Sequence, residues 1–113
     1  MSLPEAARTT EAGAFRLQPG ATGGLAAQGP LNFASARHAY ELGVGALREA
    51  PAGALEIDCR GITVSDSAGL AVLLEWLGVA KRAGRALRYT QLPEGLAALA
   101  RISDVQQLLE HGV

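Results

Sequence analysis

A single cysteine, Cys59, in 113 residues leaves no internal disulfide to form. That suits a reducing compartment better than an oxidising one. Aromatic residues make up only 4% of the chain, namely Phe15, Phe33, Tyr40, Trp76 and Tyr89, so the core must be built mainly from Leu, Val and Ala. Neither charge is in excess. The formal net charge of −1 and a pI near 6.1 withhold the basic face that nucleic-acid binding requires. No apolar run is long enough to cross a bilayer: the best stretch, Ala68 to Ala80, carries Glu75 and is closed by Lys81 and Arg82. The first residues, Met1 to Arg8, lack the continuous apolar segment of a signal peptide, so a cytoplasmic location is expected.

What is present is an ordinary soluble composition, 49% hydrophobic and 19% charged. The length suits one domain with a real core. Residues 1–13 are rich in Ala, Thr and Glu without periodicity and read as a flexible tail, leaving residues 14–113 as the domain. Ala14 to Leu17 and Gly24 to Gln28, separated by Pro19-Gly20, read as a hairpin. Gly29-Pro30-Leu31-Asn32 is expected to break the second strand and to offer Asn32 as a helix cap. Phe33, Ala36, Tyr40, Val44 and Leu47 then recur at helical spacing until Pro51 and Gly53. Leu55, Ile57 and Cys59 alternate with Glu56, Asp58 and Arg60 as a third strand. A polar loop follows, and a long helix is predicted from Ala68 to about Ala83, with Gly84 as its C-terminal cap. Leu87 to Gln91 reads as a fourth strand, Pro93 opens a short helix, and Ser103-Asp104 starts a last one. Strands alternating with helices in this order predict an α/β domain: one mixed four- to five-stranded sheet with helices largely on one face.

The stretch from Ile57 to Leu70 organises the chain. Asp66 and Ser67 fall where the long helix begins, so their side-chain oxygens can accept from first-turn amides. Gly69 lets other backbone come close. A hydroxyl at the positive end of a helix can hold a phosphoryl group or dock a partner.

Val64-Ser65-Asp66-Ser67-Ala68-Gly69-Leu70-Ala71-Val72-Leu73-Leu74 resembles the D-[ST]-x-G-L signature of STAS domains, found in anti-sigma-factor antagonists and in regulatory parts of transporters. The resemblance extends over roughly residues 14–110, through Gly29-Pro30-Leu31, Ala80-Lys81-Arg82-Ala83-Gly84 and Leu92-Pro93. Within the family, the short Leu- and Ala-rich chain is most similar to the MlaB-like branch, the cytoplasmic STAS subunits of Mla-type phospholipid-transport ABC complexes. In one departure, Pro30 stands where anti-sigma antagonists often carry an acidic residue.

The resemblance implies a non-enzymatic subunit bound to a cytoplasmic ABC-transporter ATPase, held peripherally at the inner membrane and serving outer-membrane lipid asymmetry. The alternative it implies is an anti-sigma-factor antagonist phosphorylated on Ser67 by a partner Ser/Thr kinase. The expected contact surface is Ser65, Asp66, Ser67, Ala68, Gly69 and Leu70, flanked by Pro30, Leu31 and Asn32 and by Trp76 on the long helix. Simpler roles stand beside these: Ser67 as a helix cap, Asp66 as a loop-fixing residue, and Trp76 packed on a neighbouring helix. Lys81, Arg82, Arg85 and Arg88 read first as cations favouring a helix C-terminus, and an acidic partner or lipid headgroups are the alternative. Catalytic machinery, cofactors and metals are not expected. Ser67 lacks recognisable His and Asp partners, His38, His111 and Cys59 lack ligand spacing, and no Gly-Lys-Ser/Thr follows Gly20, Gly23 and Gly24.

Overall fold

The computed structural model describes residues 14–21, 23–49 and 53–112. The flexible tail expected over residues 1–13 lies outside the described residues, as does Pro51. Two strands open the domain, β1 (Arg16–Pro19) and β2 (Leu25–Leu31), followed by helix α1 (Ala36–Glu49). Strand β3 (Leu55–Ser65) leads into the long helix α2 (Ser67–Arg82), and then come β4 (Leu87–Thr90), α3 (Glu94–Ile102) and α4 (Gln106–His111).

The four strands lie in the order β1-β2-β3-β4. The first pair is antiparallel, and β2, β3 and β4 are parallel, so the sheet is mixed. Because α1 and α2 each return the chain between parallel strands, the two helices run in the same direction. One sheet face presents Ile57, Cys59, Ile62, Leu87 and Tyr89 to the helices, all of them buried. The other carries Glu56, Asp58, Arg60 and Arg88, with an Arg60–Asp58 ion pair at 2.8 Å and an Arg88–Glu56 pair at 3.9 Å. This is the α/β, helices-on-one-face architecture that the alternation of elements predicts.

Several boundaries differ from the sequence expectation, each for a local reason. Pro30 does not end β2: the pairing with β3 runs through Gly29↔Ile62 to Leu31↔Ser65, with a register shift across Pro30. A proline has no N–H to give a ladder, and a bulge is where a strand tolerates one. For the same reason β3 does not turn into a polar loop after Cys59 but stays paired with β2 as far as Ser65. At the other end, β4 stops at Thr90 because Gln91 has φ 57°. The Ser103-Asp104 pair closes α3 rather than opening α4. Asp104 has φ 62°, the Val105 amide donates to the Ala100 carbonyl and the Asp104 amide to that of Arg101, which together make a Schellman stop. Gly84 ends α2 in the same way, as expected, with φ 72° and bonds from Arg85 to Ala80 and from Gly84 to Lys81.

The largest correction concerns α1. Its buried face is Ala39, Gly43 and Leu47, whereas Phe33 is 83% exposed and Tyr40 37%. The face turns on Trp76. A Cβ at Gly43 would lie inside the Trp76 indole ring, so the missing side chain is the notch into which α2 packs. The indole is fully buried, with ring centroids 5.9 Å from Phe15 and 6.5 Å from Tyr89. Its Nε1–H has no hydrogen-bond partner among the described residues, and the Tyr89 hydroxyl donates to the Leu73 carbonyl at 2.6 Å.

Candidate functional site

Where β3 hands over to α2, a single residue joins two segments. Asp66 is the N-cap of α2, with extended backbone at φ −146°. Its Oδ1 accepts from the Gly69 amide at 3.1 Å, as an N-cap should. Its Oδ2 accepts from the Phe33 amide at 3.0 Å, across 33 residues of chain. These bonds, from Phe33 first and then Gly69, hold the carboxyl below its ordinary pKa of 3.8. Asp66 therefore clamps the start of α1 to the start of α2.

The segment it clamps is itself tightly bonded. Asn32 Oδ1 accepts from the Ser35 amide at 3.2 Å, and Ser35 Oγ accepts from the Asn32 amide at 3.0 Å. This is the reciprocal pattern of a capping box, but it closes the turn ahead of α1: the helix starts at Ala36, with the Ala39 amide donating to the Ser35 carbonyl, so Asn32 caps that turn and not the helix for which the sequence offers it. Ser35 Oγ also donates to the Pro30 carbonyl at 2.8 Å, tying the turn back to the bulged end of β2. On the α2 side, a Cβ at Gly69 would overlap the Leu31 carbonyl. Only glycine lets the end of β2 rest on the first turn of α2.

The expected contact residues separate by exposure. Ser67 is exposed at the first helical position, and its hydroxyl makes no hydrogen bond among the described residues, so the capping role belongs to Asp66. Ser65, Asp66, Ala68, Pro30 and Asn32 are half-buried around it. Leu31, Gly69, Leu70 and Trp76, by contrast, are buried and form part of the core. They shape the surface from beneath and do not present side chains to a partner. Trp76 in particular packs on the neighbouring helix, which explains its apolar flank fully.

Two exposed apolar side chains at this end of the sheet complete the surface: Phe33, and Val64 at 55% exposure. The helical periodicity assigns Phe33 to the core. The signal that corrects it is the Asn32/Ser35 spacing, because a reciprocal pair there leaves Phe33 in the turn ahead of α1, outside the helix.

The basic residues lie elsewhere. Lys81 and Arg82 end α2, at the pole opposite Asp66, and Arg88 pairs with Glu56 across the sheet. Cys59 is fully buried, which pushes its thiol up to about 12. Among the described residues no three His, Cys, Asp or Glu side chains gather to hold a metal ion. No described helix is long and apolar enough to cross a membrane.

A four-stranded mixed sheet with two crossover helices, and a capped helix start set beside an exposed strand-to-helix turn, defines a small α/β domain of the STAS type. The family described as "Mlab, STAS domain" matches residues 15–110, and the chain belongs to it. No curated protein matches the sequence.

Proposed function

We propose that this STAS domain is a non-enzymatic binding and regulatory subunit of an Mla-type ABC transporter, docked on the transporter's cytoplasmic ATPase. Through that complex it would sit peripherally at the inner membrane and act in phospholipid transport and outer-membrane lipid asymmetry. Membership of the Mlab, STAS domain family supports the partner class. The single structural observation behind the docking surface is the rigid junction at Asp66, which holds an exposed Ser67 and an exposed Phe33 in one fixed arrangement. A preorganised surface binds without losing loop entropy on contact. Co-expression with the cognate ATPase tests the proposal: Ser67→Arg puts a long cation on the surface without touching the core, and it should abolish co-purification while leaving the melting temperature in place. Normal co-purification of that variant would refute this surface.

One observation favours a second reading, an antagonist of an anti-sigma kinase that is phosphorylated on Ser67. The Ser67 hydroxyl is exposed and unbonded among the described residues, and a phosphate there would sit at a helix N-terminus that tolerates its charge. Incubation with ATP and the cognate kinase followed by intact mass decides between the two. A stoichiometric phosphate on Ser67 selects the second reading.

A further inference from the structure

We infer that Phe33 is the anchor of this surface, that Asp66 is its positioning residue, and that the partner offers an uncharged apolar socket of about one phenyl ring. The inference rests on the docking surface proposed above and specifies its chemistry.

The starting point is an anomaly. Phe33 is one of only two phenylalanines in the chain, and its partner in type, Phe15, is fully buried. Phe33 is 83% exposed, yet its backbone is not loose. Its amide is held by Asp66 Oδ2, and the Asn32/Ser35 reciprocal pair closes the turn around it. An exposed aromatic on a mobile loop would need ordering before it could bind. This one is already ordered, and an aromatic side chain supplies large contact area at low entropic cost.

Charge decides what it fits. Across residues 30–35 and 64–70, the only ionisable side chain is Asp66. Both of its oxygens are occupied by amides of this chain, so little of its charge is available to a partner. The next cation along the chain, Arg37, pairs with Glu41 at 3.6 Å. What remains is the ring of Phe33, the side chain of Val64, and small neutral groups such as Ala34, Ser67 and Ala68. A neutral apolar patch with the Ser67 hydroxyl at its rim is complemented by an apolar socket on a folded protein. An acidic peptide or a lipid headgroup would find no cation within residues 30–35 and 64–70.

Asp66 acts through Phe33. Its Oδ1 bond serves α2, but the Oδ2 bond fixes the Phe33 backbone, and hence the direction in which the ring projects. Asp66→Asn keeps the acceptor for Gly69 and substitutes an NH2 donor where Phe33 needs an acceptor.

The test is a double-mutant cycle on the full chain, with affinity for the purified cognate ATPase measured by biolayer interferometry and stability by thermal melting. Phe33→Ala should weaken binding about 30-fold or more, the loss that marks a hot spot, and should leave the melting temperature unchanged because the ring lies outside the core. Asp66→Asn alone should weaken binding several-fold. In the Phe33→Ala background it should have no further effect on affinity while still lowering the melting temperature, a pattern that a purely structural role does not produce. If Ser67→Arg abolishes binding but Phe33→Ala binds within about 3-fold of the original chain, the anchor is overturned and the docking surface stands. If neither matters, the surface itself is wrong and the anchor falls with it. Equal losses from Asp66→Asn in both backgrounds overturn the positioning role.

Discussion

Gly43 and Gly45 stand two residues apart on α1, and one methyl group added to each should act in opposite directions. A Cβ at Gly43 lands within the Trp76 indole, whereas at Gly45 it meets nothing within 4 Å. Both substitutions gain about 1 kcal/mol of helix propensity at most. At Gly45 that gain is the whole effect, so Gly45→Ala should stabilise the domain by about 0.5–1 kcal/mol. At Gly43 the indole has nowhere to retreat, because Phe15 and Tyr89 close in from other sides, with ring centroids at 5.9 and 6.5 Å. Overpacking a filled core costs about 1–3 kcal/mol, and more where the neighbours cannot move. With the propensity gain subtracted, Gly43→Ala should lose about 2 kcal/mol. At about 4 °C per kcal/mol, the melting temperature falls about 8 °C for Gly43→Ala and rises about 2–4 °C for Gly45→Ala. Thermal melts by circular dichroism, supported by urea titration, read both. Combined with a smaller residue in place of the indole, as in Gly43→Ala/Trp76→Leu, the loss should be less than the sum of the two single losses. A Gly43→Ala variant as stable as the original chain would refute the glycine notch as the basis of the α1–α2 contact.

Acid should expose the Asp66 junction. Its folded pKa lies below the ordinary 3.8, so its contribution is complete above that value and fades as pH falls through the folded one. The stability gap between the original chain and Asp66→Asn in urea melts should therefore be level from neutral pH to about pH 5 and close in stronger acid, and a gap that widens in acid would refute this. Tyr89→Phe removes the hydroxyl that donates to the Leu73 carbonyl and should cost about 1 kcal/mol by denaturant midpoint. Cys59 is fully buried and its thiol is pushed up to about 12, so DTNB should label it at least about 100-fold more slowly in native buffer than in denaturant. Comparable rates would mean that β3 opens readily.

Much of this architecture could be read from residue patterns. The alternation in Leu55 to Cys59, the long apolar run after Asp66 and the glycine at 84 each report a local rule, and each element stands where that rule puts it. The face of α1 was harder. Periodicity counts large apolar side chains, and here the helix is buried through Ala39 and Gly43, residues whose value lies in the space they leave for Trp76. Strand lengths were hidden for a related reason: Pro30 is a local stop signal, but pairing with β3 carries β2 past it by a register shift. At the candidate site, the D-S-x-G-L sequence marks the turn where β3 gives way to α2. It does not say that Leu31 and Trp76 belong to the interior, because the first is buried where the end of β2 rests on Gly69 and the second where α2 enters the notch at Gly43. Nor could spacing reveal that Asp66 reaches Phe33, a contact between segments 33 residues apart.

The strand order also bears on how the molecule is made. Because the sheet reads β1-β2-β3-β4 in chain order, every strand is laid against the free edge left by the one before it. No strand has to be threaded between two that are already paired. A chain leaving the ribosome can close its hairpin first and then extend the sheet outward, one crossover at a time, with each closure spanning a single helix and its turns. The last step brings α4 against β4. Gly112, just beyond α4, lies so close to the Leu87 carbonyl that no Cβ fits between them. Order of synthesis and order of assembly coincide, and the last helix to leave the ribosome packs against the last strand laid down.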